Sequence, residues 1–303
     1  MYFTPCPQGT GSHAGPGAGS TRGDAIGGGR DEEEEQVTPA GIIAKPSPAR
    51  IRNALLGGKD NLGRDREAAA ALLAVNPDAA AMAVHGRLFC NRAVRYAAER
   101  GIRQVIDVRC GLPVPPVTVL DGRRVRLLNA HEAARAVIPD ATCAYADDDP
   151  LVVAHVRALL CRDGVAMAAA DPFDPAAVLS SPDLAAVTDL GEPCCLVLGM
   201  AAEYMPPDRA AEAVAGYVDA LAPGSLAAVC VMQVTAATWE KTSAAYPAAR
   251  IWNHDPGTVE TFFAGLELVP PGLRDARTWR PGWGHGCGVP QGNHVLAGMG
   301  VKR

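Results

Sequence analysis

The sequence predicts an α/β fold, a largely parallel sheet with helices on both faces. Three observations predict it. From residue 101 onward, apolar runs of strand length alternate with helical segments, the order that builds a parallel sheet. CCLVLG at 194–199 is apolar without interruption, as a central strand buried on both faces requires. VIDVRCGLP at 105–113 runs from a strand into an acid and then a glycine turn, the form of a strand that offers backbone amides to a ligand.

The elements follow in order. Residues 1–36 are rich in glycine and small polar side chains and end in the acidic run DEEEEQ. A segment with so little to bury is expected to be a disordered, solvated tail. Residues 37–100 read as a helical cap region. SPARIRNALLG is a helix capped by Ser47, with Pro48 at its first position and Gly57 at its exit. A second helix spans 64–75 and stops at Asn76-Pro77; a third spans 79–100 and ends at Gly101. The strands RQVIDV, TCAYAD, GVAMAAA, CCLVLG, LAAVCVMQV and HVLAGMGV then occupy 101–303, with helices at DPLVVAHVRALL, PDRAAEAVAGYVDALA and TVETFFAGL. Segment 114–128 breaks the rhythm, because Pro115 and Pro116 oppose the helix due after the first strand. VTVL-DG-RRVRLL predicts an inserted hairpin instead, with Asn129 capping a delayed helix.

Composition narrows the function classes. At 303 residues and 48% hydrophobic, the chain can bury a large core, and its net charge of -5 offers no general attraction to nucleic acid or anionic membrane. Nine cysteines, an odd number without a C-x-x-C pair, speak against a disulfide framework or a zinc site and for reduced thiols. No metal is expected. The N-terminus lacks a secretion signal, and the expected location is the cytoplasm.

The candidate ligand residues lie at strand ends. Gly111 lets the backbone approach a ligand. Arg109 stands where such turns commonly place their first glycine, and its side chain would either occupy adenosyl space or bind an anion. Asp147 ends the second strand, where a carboxylate can take both ribose hydroxyls; neighbouring Asp149 suits a helix cap. Asp171 follows the third strand and would contact an adenine amine or cap the next turn. Glu203 suits a base or a partner for a cationic substrate; Tyr204 and His254, the latter for proton transfer, are the further catalytic candidates, and Trp252 is a substrate-side candidate. His285 sits in a glycine-rich loop.

Together, PSPARIRNALLGGKDN, DREAAAALL, FCNRAVRYAAERGIRQVIDV, GLP, NAHEAARAVIPDA, ADDDPLVVAHVRALL and FFAGLELVPPGLRDARTWRP carry a resemblance over about residues 45–303. The chain resembles the actinobacterial SAM-dependent methyltransferase-like family formerly catalogued as a domain of unknown function. The resemblance implies a class I methyltransferase-like, Rossmann-like fold: a mostly parallel seven-stranded sheet with an N-terminal helical extension. It implies SAM bound over the first three strand ends, with Asp107, Gly111, Asp147 and Asp171 matching the cofactor side. Lys59, Asp60 and Asn61 in LGGKDN fall at the entrance or substrate side, although a helix-exit turn held by local hydrogen bonds explains the same letters. Arg109 departs from the family's D-x-G-x-G-L-P turn, segment 113–129 is longer than usual, and Glu203, Tyr204 and Met205 replace an H-F-L-like stretch.

Three functions follow. The first is SAM-dependent methylation of a small polar metabolite, fitting specialised metabolism. The second is a SAM-independent enzyme that cyclises its substrate by displacing an anionic leaving group, aided by Arg109. The third is a non-catalytic binding protein. A homo-oligomer or a small protein partner is compatible with each.

Overall fold

A computed structural model describes residues 45–280 and 292–303. The acidic tail expected at 1–36, the first residues of the cap region and His285 lie outside the described residues.

Helix α1 (Pro48–Leu55) begins as its residues dictate: the Ser47 side chain accepts the Arg50 N–H, and Pro48 occupies the first turn, where it forfeits no hydrogen bond. Helix α2 (Gly63–Val75) is joined to it by Asp65. This carboxylate accepts the Ser47 N–H at 3.1 Å, the Leu62 N–H at 2.8 Å and Arg50 Nε at 2.8 Å. Helix α3 (Ala79–Ala98) lies against the sheet, burying Phe89, Ala93 and Ala97 on strand residues such as Val105, Cys143 and Val197.

The sheet strands are β1 (Gln104–Val108), β4 (Thr142–Asp147), β5 (Val165–Ala169), β6 (Cys194–Gly199), β7 (Leu226–Gln233), β8 (Leu266–Leu268), β9 (Arg274–Asp275) and β10 (His294–Lys302). Their order is β5-β4-β1-β6-β7-β10-β8, and the two-residue β9 pairs with β10 as an eighth strand beyond the seven expected. Pairing is parallel from β5 to β7 and antiparallel at β10. Helices cover both faces. Val105, Tyr145, Val197 and Ala228 pack toward α3, while Ile106, Ala144, Leu198 and Val229 pack toward α8 (Pro207–Ala220). Between β5 and β6 run the short helices α6 (Pro175–Leu179) and α7 (Pro182–Ala185).

Strands β2 (Val117–Leu120) and β3 (Arg123–Arg126) form a separate hairpin. Its Asp121-Gly122 turn has φ of 50° and 73°, the left-handed pair a two-residue hairpin needs. Leu120 and Val125 pack on Leu56, Val84 and Leu88, which seats the hairpin on α1 and α3. Asn129 accepts the Val114 N–H at 3.1 Å, fastening both ends of the insertion, and shares a capping box with Glu132 at the start of α4 (Ala130–Arg135).

The segment TVETFFAGL departs from its helical expectation. Helix α10 covers only Pro256–Thr261, capped by Asp255, and Phe262 and Phe263 leave it to enter the core. Gly265, at φ 76°, then turns the chain into β8, so the segment completes the sheet edge.

Candidate functional site

Strand β1 lies between β4 and β6, and the winding of the chain reverses there. An open α/β sheet forms its ligand crevice beyond the strand C-termini at such a switch point. The crevice here opens to solvent. Gly111 lines it from the β1 end, Gly199 and Met200 from the β6 end, and Arg52, Arg87 and Cys90 from α1 and α3.

Two glycines bring α3 this close. A β-carbon at Gly86 would stand 2.6 Å from Met200 Sδ, and one at Gly199 would stand 2.7 Å from Cys90 Sγ. Gly111 serves a different need. A β-carbon there would meet nothing within 4 Å, so its φ of 70° is what calls for glycine.

Strand alternation puts Asp107 on the same face as Val105, toward α3. There Arg87 Nη1 stands 3.4 Å from Asp107 Oδ2. Burial pushes the Asp107 carboxyl above the ordinary range, and Arg87 partly opposes the shift. Asp147 projects from the end of β4 and shapes the turn directly. Its Oδ2 accepts the Gly111 N–H at 3.0 Å and its Oδ1 the Asp149 N–H at 3.1 Å. Each oxygen retains a second lone pair. Burial raises the Asp147 carboxyl too, against these two amide donors. Asp149 caps α5 (Pro150–Leu159) by accepting the Leu151 N–H at 2.8 Å.

Arg109 reaches from the β1 turn to the segments after β5 and β6. Its φ is 53°, a left-handed conformation that costs a non-glycine residue about 1 kcal/mol. Its guanidinium carbon lies 4.0 Å from the Tyr204 ring centroid and 5.1 Å from that of Phe173. It forms no ion pair among the described residues. Asp171 is exposed, and its Oδ1 accepts the Phe173 N–H at 2.8 Å, which fixes the loop that brings Phe173 to Arg109.

A second cavity adjoins the first, and Arg52 and Met200 line both. Its wall is largely apolar, with Leu72, Met82, Met232 and Ile251, and its polar members include Glu203 and Thr242. Arg52 donates to the carbonyl oxygens of Gly199 and Met200 at 3.2 and 2.6 Å. Glu203 follows β6 in a short 3-10 turn (Ala202–Tyr204) and is buried. Its Oε1 accepts the Met232 N–H at 2.6 Å, whereas Oε2 has no hydrogen-bond partner among the described residues. Burial pushes its carboxyl upward, opposed by its own backbone amide, the Met232 amide, Arg52 and His254. The Tyr204 and Tyr246 hydroxyls are 2.9 Å apart.

The remaining predicted residues lie elsewhere. His254 is buried behind the Glu203 turn, with Nε2 2.9 Å from the Ala202 carbonyl and its ring edge-on to Phe262. Trp252 supports the same turn by donating its backbone N–H to the Glu203 carbonyl at 2.7 Å. Lys59 and Asp60 are exposed on the loop after α1. Asn61 is buried, and its amide donates to Asn53 Oδ1 at 2.8 Å and to the Gly58 carbonyl at 2.9 Å. Among the described residues, none of Lys59, Asp60, Asn61, Trp252 and His254 lines either cavity, and neither do Asp107, Arg109, Asp147 and Asp171; Asp107 and Asp147 reach the first one only through their partners Arg87 and Gly111. Local hydrogen bonds thus account for the loop at Asn61.

Arg52, Arg87, Met200, Thr242 and Tyr246 belong to the site but were not among the residues read from the sequence. A faint signal existed for the two arginines, each set among apolar helix residues. Which charge would face the crevice depends on strand order.

The sequence profile of the S-adenosyl methyltransferase family matches residues 36–303. This chain belongs to that family. The S-adenosyl methyltransferase fold is shared with a methyltransferase candidate from Thermobifida fusca YX, at 32% identity and a TM-score of 0.75, over 88% of this chain and 99% of that one. A DUF574 family protein from Streptomyces avermitilis MA-4680 is similar at 28% identity and a TM-score of 0.75, over 86% of this chain and 99% of that one. No curated protein matches. Among the described residues of this family member, no group of three or more His, Cys, Asp or Glu stands where it could hold a metal, and no single helix is long and apolar enough to cross a membrane.

Proposed function

We propose that the chain binds SAM in the crevice and transfers its methyl group to a small-molecule acceptor in the adjoining cavity. The observation that carries this reading is the shared wall: Arg52 and Met200 border both spaces, so a donor on one side and an acceptor on the other would meet there. Family membership supports the same chemistry.

Gly111 and the two acids behind the crevice wall suit the cofactor in two respects. Space lies open above Gly111, and two buried acids, Asp107 and Asp147, end adjacent parallel strands. The spare lone pairs of Asp147 suit the ribose hydroxyls, and Asp107 with the β1 turn suits the amino-acid end. When bound, the cofactor supplies an electrophilic methyl on a sulfonium. Alignment across the Arg52–Met200 wall is the chain's main contribution. Alkylation of an N–H or O–H acceptor releases one proton, and Glu203 Oε2 is the group proposed to take it.

Arg109 opposes the fit, and magnitudes decide how far. Its two ring contacts are each worth about 0.5–1 kcal/mol at a partly exposed site, whereas micromolar binding corresponds to about 8 kcal/mol. Arg109 therefore weakens cofactor entry without barring it.

Calorimetric titration of metabolite-free protein with SAM and its demethylated product tests the reading. One-site binding near the micromolar range is expected. No binding by folded protein at about 1 mM overturns it.

A second reading rests on Arg109 itself, a cation beside the β1 turn that forms no direct ion pair among the described residues, with Asp147 and Asp148 in its field. In that reading the guanidinium receives a sulfate or phosphate leaving group. An internal nucleophile forms a ring bond to carbon as the C–O bond breaks, the electron pair departs with the anion, and the nucleophile's proton passes to Glu203. A sulfated or phosphorylated substrate turned over without SAM, and not turned over by Arg109→Gln, would establish it.

A further inference from the structure

Two buried polar atoms, on residues that line the second cavity, have no partner among the described residues. Glu203 Oε2 and Thr242 Oγ1 both lack a hydrogen bond, each residue is only 2% exposed, and both line the same cavity. A buried acceptor left without a donor is costly to the fold, and two in one wall point outward from folding to a ligand. The rest of the site does not satisfy them. Arg52, whose charge acts on Glu203, is spent on the carbonyl oxygens of Gly199 and Met200, and His254, whose field also reaches Glu203, uses Nε2 on the Ala202 carbonyl while its Nδ1 is itself without a partner among the described residues.

The chemistry of the missing group follows from the two atoms. A carboxylate oxygen accepts only, while a hydroxyl both accepts and donates. A group with at least two N–H donors satisfies both at once. A carboxylate ligand would face Glu203 as a like charge, and a polyhydroxylated ligand would bury its other hydroxyls against Leu72, Met82, Met232 and Ile251 without partners. We infer that the cavity takes a primary amine carried on a compact apolar body, with its nitrogen at Glu203 and Thr242. This deepens the methyl-transfer reading and rests on it for the amine's role as acceptor. It replaces the polar metabolite expected from the sequence with an amphipathic one.

The test uses the full chain without cofactor and 2-phenylethylamine as the probe, followed by calorimetry. Saturable one-site binding is expected, with 3-phenylpropionate at least about tenfold weaker. Glu203→Gln keeps a carbonyl oxygen for the Met232 amide and should weaken amine binding about tenfold or more. Thr242→Val should weaken it several-fold without lowering the melting temperature. No saturable amine binding by folded protein up to about 10 mM, equal binding of the carboxylate, or full affinity in Glu203→Gln overturns the inference. Because cofactor is absent, the two readings fail separately. Amine binding without SAM binding removes methyl transfer and keeps the amine site; the reverse result removes only the amine.

Discussion

The Arg109 guanidinium stacks 4.0 Å from the ring centroid of Tyr204, tying the turn after β1 to the turn after β6. The contact joins a residue in a left-handed backbone conformation to one whose hydroxyl pairs with Tyr246 in the neighbouring cavity.

Arg109→Gly should open the crevice. The substitution removes two ring contacts and the left-handed strain, and the SAM dissociation constant should fall about tenfold, or ~1.4 kcal/mol. Calorimetry on the variant and the parent chain measures the ratio. An unchanged or weaker affinity would mean that the guanidinium does not compete with the cofactor.

Glu203 should make stability depend on pH. Its folded carboxyl titrates above the unfolded value because of burial, so between those two values the native state binds more protons than the unfolded state. Stability is therefore full below the unfolded value of about 4.3 and falls as pH rises through the folded one. Glu203→Gln should accordingly gain stability relative to the parent between pH 4 and pH 7. Urea melts at the two pH values test the sign, and a constant difference would refute it.

Asp65 should be the most costly single acid to neutralise in the helical region. It and Arg50 are 0% and 2% exposed and 2.8 Å apart, and it also holds two backbone amides. Asp65→Asn should cost about 3–5 kcal/mol, as breaking a buried ion pair does. The urea midpoint reports the loss, and a change below about 1 kcal/mol would rank this pair with surface ones.

Gly86→Ala should act through Met200. The new methyl would sit 2.6 Å from Met200 Sδ, and overpacking of this kind costs about 1–3 kcal/mol. In a Met200→Ala background the penalty should largely vanish. A double-mutant cycle of urea melts measures the coupling, and additive losses would place the clash elsewhere.

Much of the frame was legible because its causes are local. The Ser47 and Pro48 start of α1, the Asp121-Gly122 turn and the Asn129–Glu132 capping box each depend on residues within a few positions of one another. The sheet edge was less legible. FFAGL reads as helix by its apolar spacing, yet Phe262 and Phe263 are drawn into the core on one side of the sheet and Gly265 reverses the chain. Tertiary burial outweighed a weak local preference. Asn61 shows the same limit at the site, since its local hydrogen bonds and a ligand role use the same letters.

By itself, the sequence determined that a parallel sheet would form, where its β1 strand would turn, and that acids would end β1 and β4. Those features follow from periodicity and turn chemistry within short windows. Only the tertiary structure decided that Asp147 would hold the Gly111 amide, that Arg109 would reach Tyr204, and that Glu203 and Thr242 would share a cavity wall. Each of these depends on which strands and helices become neighbours. Partners separated by 36 residues, as Gly111 and Asp147 are, meet only after the sheet has set its order.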